Sequence, residues 1–288
     1  MPVEVTVALS AYRAEPYIRG ALSAILDQTV DEFELVIVED FPPDGTRAIV
    51  EEFDDERIRY TTSLTHLGIA GNRNLCVKLA KSKYVFFTDD DCIVSRNWIE
   101  KGLESFRKYG CIAVEGRTYY VSEDYRPTFS DNVIQNRTGG QFMAGNMAYE
   151  KKIVEQLGGF DERYTYLEDR DLGLRASKYG RINFNADMIV FHRKVTLTPA
   201  EYVNKAKAIS NRILLYKKFG ERPSALWRIT SPLNLLTIIF PPLVFARLLR
   251  YRFATNQDFA LLPFIYPRLL YERIILWHTC ARERVFMI

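Results

Sequence analysis

The chain is poor in the residues that staple or anchor small proteins. Its 288 residues include four cysteines, Cys76, Cys92, Cys111 and Cys280, with no C-x-x-C pair and no metal-finger spacing. That scatter argues against a disulfide framework or a structural zinc site and suits a reducing compartment. No apolar run reaches the roughly 18 to 20 uninterrupted residues of a membrane-spanning helix. Net charge is only +3, so no global excess of cations points to nucleic acid. Glycine is missing from SAYRAEPY (10–17), just after the first apolar run. A sugar-phosphate nucleotidyltransferase would carry a glycine-rich loop with a basic residue there, so that class is disfavoured. The start, MPVEVTVALS, lacks a basic segment followed by a long apolar one. It reads as a strand and not as a secretory leader. A cytoplasmic protein is the expectation.

What is present is an ordinary globular composition, 48% hydrophobic and 26% charged. The length suffices for one large domain or for a domain with an appendage. Strand-like and helix-like segments alternate through the first two hundred residues. VEVTVALS (3–10), FELVIVED (33–40), RIRYTTS (57–63), YVFFTDDD (84–91) and CIAVEGRTYY (111–120) read as strands. Between them, 15–29, 44–53, 69–81 and 96–109 have helical spacing. This order predicts an open, mostly parallel α/β sheet with helices on both faces. Residues 121–140 read as a loop. Helices over 149–157 and 168–179, strands near 181–184 and 188–192, and a basic helix over 199–218 follow. The first domain is expected to span 1–198, with a helical extension over 199–288.

In such sheets ligands bind beyond the carboxyl ends of the strands. Three predicted strands end there in polar groups: Ser10, Glu39 with Asp40, and Asp89 to Asp91. Residues i and i+2 of a strand face one way, so Asp89 and Asp91 can address one spot, with Asp90 turned away. Two hard oxygen ligands suit Mg2+ or Mn2+ bound together with substrate phosphates. A cation also relieves the repulsion among three adjacent carboxylates. The plain alternative is a solvated turn that caps the next helix. Asp40 can accept from a nucleobase N–H or a ribose hydroxyl, or cap the helix after PPDGT. Arg73 can contact a diphosphate or brace the aspartates. Glu168, Asp169 and Asp171 open a helix, where the dipole favours acids in any case, or one of them is a general base. His192 closes MIVFH as a third metal ligand or as a structural histidine.

The tail changes character. Residues 221–288 hold nine Arg, no Lys and four acids, a net +5 that leaves −2 for residues 1–220. PLNLLTIIFPPLVFARLLRYR (232–252) and LLPFIYPRLLYERIILW (261–277) mix apolar residues with Arg and are broken by proline. They read as helices in a membrane interface, with Arg on lipid phosphates and aromatic residues dipping in. The alternative is a helical subdomain packed on protein.

Five segments in order along residues 3–193 carry a resemblance. They are VALSAYRAEPYIRGALSAILDQT, FELVIVEDFPPDGT, GIAGNRNLCVKLAKSKYVFFTDDDCIV, FMAGNMAYEKKIVEQLGGFDERYTYLEDRDLGLRASKYG and VFH. Together they resemble the inverting GT-A glycosyltransferases of family 2. The resemblance implies a Rossmann-like GT-A fold. It also implies transfer of one sugar from a nucleotide-diphosphate sugar to a hydroxyl or phosphate of a glycan or lipid-linked acceptor. It places Asp89 and Asp91 in the D-x-D motif that binds Mn2+ or Mg2+ and the donor diphosphate; His192 stays the candidate third ligand read from the strand end. Asp40 would read the base and Ser10 line the nucleotide pocket. Gly145 and Asn146 of AGNMA would line the donor sugar or acceptor pocket, and Arg73, Asp89 and Asp90 are expected about the nucleotide sugar. Asp169, with Glu168 beside it, would be the catalytic base. The basic tail, 221–288, would meet the cytoplasmic face of a membrane. Two departures are visible. The turn after the second strand is FPPDGT, stiffer than the usual acidic, glycine- and serine-rich one. No Q-x-x-R-W follows residue 193, so single-sugar transfer is expected over polymerisation. The competing reading is an inactive nucleotide-sugar binder or membrane-associated scaffold. Such a protein has no need of both the aspartate cluster and Glu168–Asp169.

Overall fold

A computed structural model describes residues 3–220 and 251–285. The apolar, basic stretch 232–252 lies outside them except for its last two residues. The strands are β1 (Val5–Ala11), β2 (Phe33–Glu39), β3 (Ile58–Thr62), β4 (Tyr84–Asp89), β5 (Cys92–Val94), β6 (Ala113–Tyr120), β7 (Met147–Glu150) and β8 (Ile182–His192). They form one sheet in the order β3-β2-β1-β4-β7-β6-β8-β5. The half made of β3, β2, β1 and β4 is parallel. In the other half β7 runs against β4 and β6, β8 runs parallel to β6, and β5 runs against β8. The sheet is therefore mixed. Strands β5 and β7, of three and four residues, are too short for a periodic signal, and sequence reasoning found neither as a strand. The helix expected over 149–157 begins only at Lys151. The two strands expected after residue 180 are one, β8, with a register shift opposite Gly116 and Arg117.

Helices cover both faces, which is why the parallel strands read as unbroken apolar runs. Val7, Leu9, Leu35 and Ile37 pack with α1 (Ile18–Leu26), α2 (Thr46–Glu51) and α4 (Trp98–Tyr109). The alternate residues Ala8, Val36, Val38, Val85 and Phe87 pack with α3 (Gly68–Leu79), α5 (Lys151–Gln156) and α6 (Glu168–Ala176). The chain leaves β1 for β2 on one side and returns to β4 on the other. Such a reversal opens a crevice at the carboxyl ends of the two strands. Ser10 and Asp89 are register partners there. Because β8 is parallel to β6, and β6 shares its direction with β4, His192 reaches the same rim.

The chain divides into two compact units, 1–123 with 134–193, and 124–133 with 194–288. The sheet is the first. Sequence reasoning assigned 124–133 to the first domain. The second unit contains α7 (Pro199–Asn204), α8 (Ala208–Phe219), α9 (Asn256–Ala260) and α10 (Ile265–Glu283). The single basic helix expected over 199–218 is two, separated by a 3-10 turn at Lys205–Lys207. Thr198 and Glu201 form a capping box at α7, and Thr255 with Asp258 forms another at α9. Among the described residues, no helix is long and apolar enough to cross a membrane.

Candidate active site

A cavity of about 320 Å3 opens at the rim, lined by Ser10, Tyr12, Asp40, His66, Gly68, Ile69, Asn72, Asp89, Asp90, Asp91 and His192. Five of the nine residues expected at the donor or metal site, Ser10, Asp40, Asp89, Asp90 and Asp91, come from the ends of β1, β2 and β4. His192 comes from the end of β8. Tyr12, His66, Gly68, Ile69 and Asn72 were missed. Tyr12 stands two residues past Ser10 and carried the same strand-end signal. His66 sits in a short connection with no pattern of its own.

The three aspartates do not share one spot. The Asp89 carboxylate accepts from Arg73 Nη2 at 2.6 Å. Arg73 is buried and also donates through Nη1 to Glu168 at 2.5 Å. Thus β4, α3 and α6 meet in one charged bridge, with the guanidinium 5.7 Å from the Phe160 ring centre. Burial opposes the Arg73 cation, but Asp89 and Glu168 outweigh it and hold the group above its ordinary range. Arg73 therefore braces Asp89 against Glu168 and is not among the cavity-lining residues. Removing one partner of such a buried bridge strands the others and costs about 3–5 kcal/mol.

Asp90, which strand alternation would turn away, faces the cavity because β4 ends at Asp89. It accepts from the Tyr12 N–H at 3.1 Å. Burial, with Asp91 beside it, pushes its carboxyl up to about 7.

Asp91 meets His192 instead, because β5 pairs with β8 and sets Cys92 opposite His192. Asp91 Oδ2 accepts from Arg193 Nε at 3.0 Å, and Oδ1 lies 3.5 Å from His192 Nε2. Burial raises Asp91, although His192 and Arg193 pull the other way. His192 Nδ1 is 3.0 Å from the carbonyl of Arg193. A carbonyl only accepts, so Nδ1 carries a hydrogen, and Nε2 is the ring nitrogen turned toward Asp91. A ring nitrogen and a carboxylate oxygen 3.5 Å apart can share a proton or ligate one cation together. Ligand atoms of Asp91, Cys92 and His192 lie within 4.8 Å of one another. Burial holds the Cys92 thiol well above its ordinary range, so it stays protonated, 3.8 Å from Asp91 Oδ1 as a weak donor. One carboxylate and one imidazole with open positions fit Mn2+ or Mg2+ better than a soft ion.

Asp40 lines the cavity but is saturated. Its Oδ1 accepts from the N–H groups of Phe41 and Leu67 and from Ser63 Oγ, at 2.8–3.1 Å. Its Oδ2 accepts from the Gly68 N–H at 2.9 Å and lies 2.8 Å from His66 Nδ1. It thus organises 63–68 and the start of α3. His66 is mostly exposed, and its ring centre is 5.6 Å from that of Tyr12.

Glu168 and Asp169 occupy the first turn of α6, entered through Leu167 at φ 68°. A bulky residue in the left-handed region is strained, and here it sharpens the turn that presents both acids. Asp169 accepts from the N–H groups of Ala144 at 3.0 Å and Arg170 at 2.7 Å. Burial raises both carboxyls, and Arg73 lowers both. Gly145 lies against Asp89, where a Cβ would be 2.7 Å from Oδ2. Asn146 is not brought to the cavity. Its side chain accepts from Trp98 Nε1 and donates to the carbonyls of Arg117 and Met188, so it ties the core together.

Solved structures share this architecture. A mannosyltransferase from Pyrobaculum calidifontis, solved with GDP-Man and Mn2+, superposes with a TM-score of 0.66 at 16% identity, over 96% of this chain and 87% of that one. S. aureus TarS 1-349, solved with UDP, gives 0.59 at 16% identity, over 99% and 93%. These likenesses establish the GT-A fold. In sequence, 154 residues are 37% identical to WfgD of Escherichia coli, a UDP-Glc:alpha-D-GlcNAc-diphosphoundecaprenol beta-1,3-glucosyltransferase, covering 54% of this chain and 56% of that protein. Another 109-residue match is 34% identical to TuaG of Bacillus subtilis, a putative teichuronic acid biosynthesis glycosyltransferase, over 37% of this chain and 43% of that protein. The chain spans about half the length of these curated relatives. The family model for glycosyl transferase family 2 matches residues 6–160, more than half of the chain. That match, which takes in Ser10, Asp40 and Asp89 to Asp91 of the rim and stops before His192, shows that the chain belongs to glycosyl transferase family 2.

Proposed function

We propose that the protein is an inverting, metal-dependent transferase that moves a single sugar from a nucleotide-diphosphate sugar to a lipid-linked or glycan acceptor. The Asp91–His192 pair carries this reading, because a carboxylate oxygen and an imidazole nitrogen 3.5 Å apart in the cavity wall can both ligate a divalent cation. Mn2+ or Mg2+ held there would stabilise the charge that develops on the departing diphosphate. The nucleobase lies against Tyr12 and His66, with Asp40 fixing both the loop and the imidazole. Ser10 and Asp90 line the nucleotide's path. Arg73 holds Asp89 and Glu168 in place. Asp169 takes the proton from the acceptor hydroxyl, and its bonds from Ala144 and Arg170 aim the carboxylate. Gly145 leaves room for Asp89. The diphosphate-lipid acceptor in the name of the WfgD relative favours a lipid-linked acceptor here too. The basic tail, 221–288, would then work at a membrane surface.

Calorimetry with UDP, GDP, dTDP and CMP, each with Mn2+ and then EDTA, tests the reading. One nucleoside diphosphate should bind in a metal-dependent way, and Asp91→Ala should abolish that binding. Absence of metal-dependent binding to all four would overturn the proposal.

A further inference from the structure

The two units differ sharply in charge. The second holds 16 Lys and Arg against 7 Asp and Glu, a net +9, which leaves −6 for the first. The boundary seen in the structure thus widens a contrast that is modest when the chain is cut at residue 220. The basic unit also carries an apolar surface. Helix α10 turns Ile265 and Leu276 inward, against the clusters built by Leu261 and Tyr202 and by Ile209 and Ile213 of α8. On its outer side Pro267, Leu270, Ile274, Trp277 and Ala281 are exposed at spacings of three and four residues, a single stripe. Ile274 is 60% and Trp277 62% exposed. No charged residue interrupts the stripe. The exposed Phe264 sits at the amino end of α10. Arg268 and Glu272 pair with each other beside the stripe, and Arg282 pairs with Glu283 beyond it.

A helix that is apolar toward its own core and again toward the outside has nothing to gain from water on the second face. Cationic charge on the unit that presents such a face suits an anionic bilayer, where basic groups meet lipid phosphates and Trp, Ile and Leu enter the headgroup boundary. The helix has 19 residues but is not apolar enough to span, so it would lie in the interface plane. We infer that α10 is a membrane-docking helix, seated on anionic lipid through the stripe from Pro267 to Ala281. The inference rests on the lipid-linked acceptor reading above and identifies the element that would bring the enzyme to that acceptor.

The full chain would be sedimented with phosphatidylcholine vesicles and with vesicles of phosphatidylcholine and phosphatidylglycerol. The anionic vesicles should bind it, with affinity falling as salt rises. The variant I274D/W277D should lose about tenfold or more of that affinity while its Mn2+-dependent nucleotide binding stays unchanged. Brominated lipid should quench Trp277 emission in a W227F background, in which the remaining tryptophan, Trp98, is buried. Binding that I274D/W277D leaves intact would overturn the inference. So would Trp277 unquenched by brominated lipid, or Trp277 already shielded from acrylamide without lipid, which would mean that residues 221–250 or a second copy cover the stripe. Loss of nucleotide binding in the parent chain would instead strike at the transferase reading and leave the vesicle result standing.

Discussion

Asp90, half-buried in the cavity wall of the first unit, and Asp258, buried in the second, are treated by their surroundings in opposite ways. Asp258 is fully buried and accepts from the N–H groups of Ser130, Ala254 and Thr255 and from Thr255 Oγ1, all at 2.7–2.8 Å. Burial alone would raise its carboxyl, but these donors outweigh it and hold the group below the usual carboxylate range. Asp90 meets the Tyr12 N–H, and burial beside Asp91 drives it up to about 7. The saturated carboxylate ties 124–133 to α9. The under-served one faces the cavity. Within the first unit, Glu115 and Asp40 are saturated in the same manner. Glu115 accepts from the N–H groups of Gly140, Gln141 and Phe142 and holds the loop that leads to Ala144. An acid supplied with N–H donors builds the frame, and an acid short of them in a cavity is a candidate for the chemistry.

That contrast breaks most severely at Asp169, which has two backbone donors yet is assigned to chemistry. Asp169→Asn keeps the shape and the acceptor atom but removes the base. Single-turnover transfer should fall about 10^2- to 10^4-fold, with nucleotide affinity retained. Equal loss of nucleotide affinity would return Asp169 to the frame.

The next effect lies in the second unit. Asp258→Ala leaves buried N–H groups without an acceptor and should cost about 2–4 kcal/mol in denaturant unfolding. Linkage gives the pH sign. A carboxyl held below its unfolded value adds stability above about pH 4, and that stability is lost as pH falls further. Parent and variant should therefore converge in acid. Mn2+ should not rescue Asp258→Ala.

The smallest effect sharpens the contrast from the other side. Asp90 has a raised value, so without metal the native state holds its proton longer than the unfolded chain does. Its contribution is favourable in acid and declines as pH rises from about 4 to about 7. Asp90→Asn should stabilise the metal-free protein by roughly 1 kcal/mol at pH 8 and flatten that decline. Thermal melts over pH 5–8, with and without Mn2+ and UDP, measure it. Destabilisation by Asp90→Asn in the metal-free protein would place Asp90 with Asp258.

Much of the site was legible because strand ends can be read locally. The apolar runs before Ser10, Asp40 and Asp89 each stop at a polar residue, and parallel strands bring such stops to one rim. Glu168 and Asp169 were legible for a similar reason, at the start of an amphipathic helix. Other features were not. Strands β5 and β7 have too few residues to show a period, so the route by which Asp91 meets His192 stayed hidden. Arg73 offered two roles, and only burial between Asp89 and Glu168 chose the brace. Asn146 sat in a suggestive segment, but its donors and acceptors are spent on Trp98, Arg117 and Met188.

The order of apolar runs and helical periods by itself determined a layered α/β unit with acids at its rim, because side-chain periodicity dictates which face each element must bury. Only the tertiary structure decided which acids are saturated and which stand open, and that α10 keeps an apolar face outside. Those outcomes depend on partners tens of residues away in the chain, and no local pattern encodes where a distant N–H or guanidinium will come to rest.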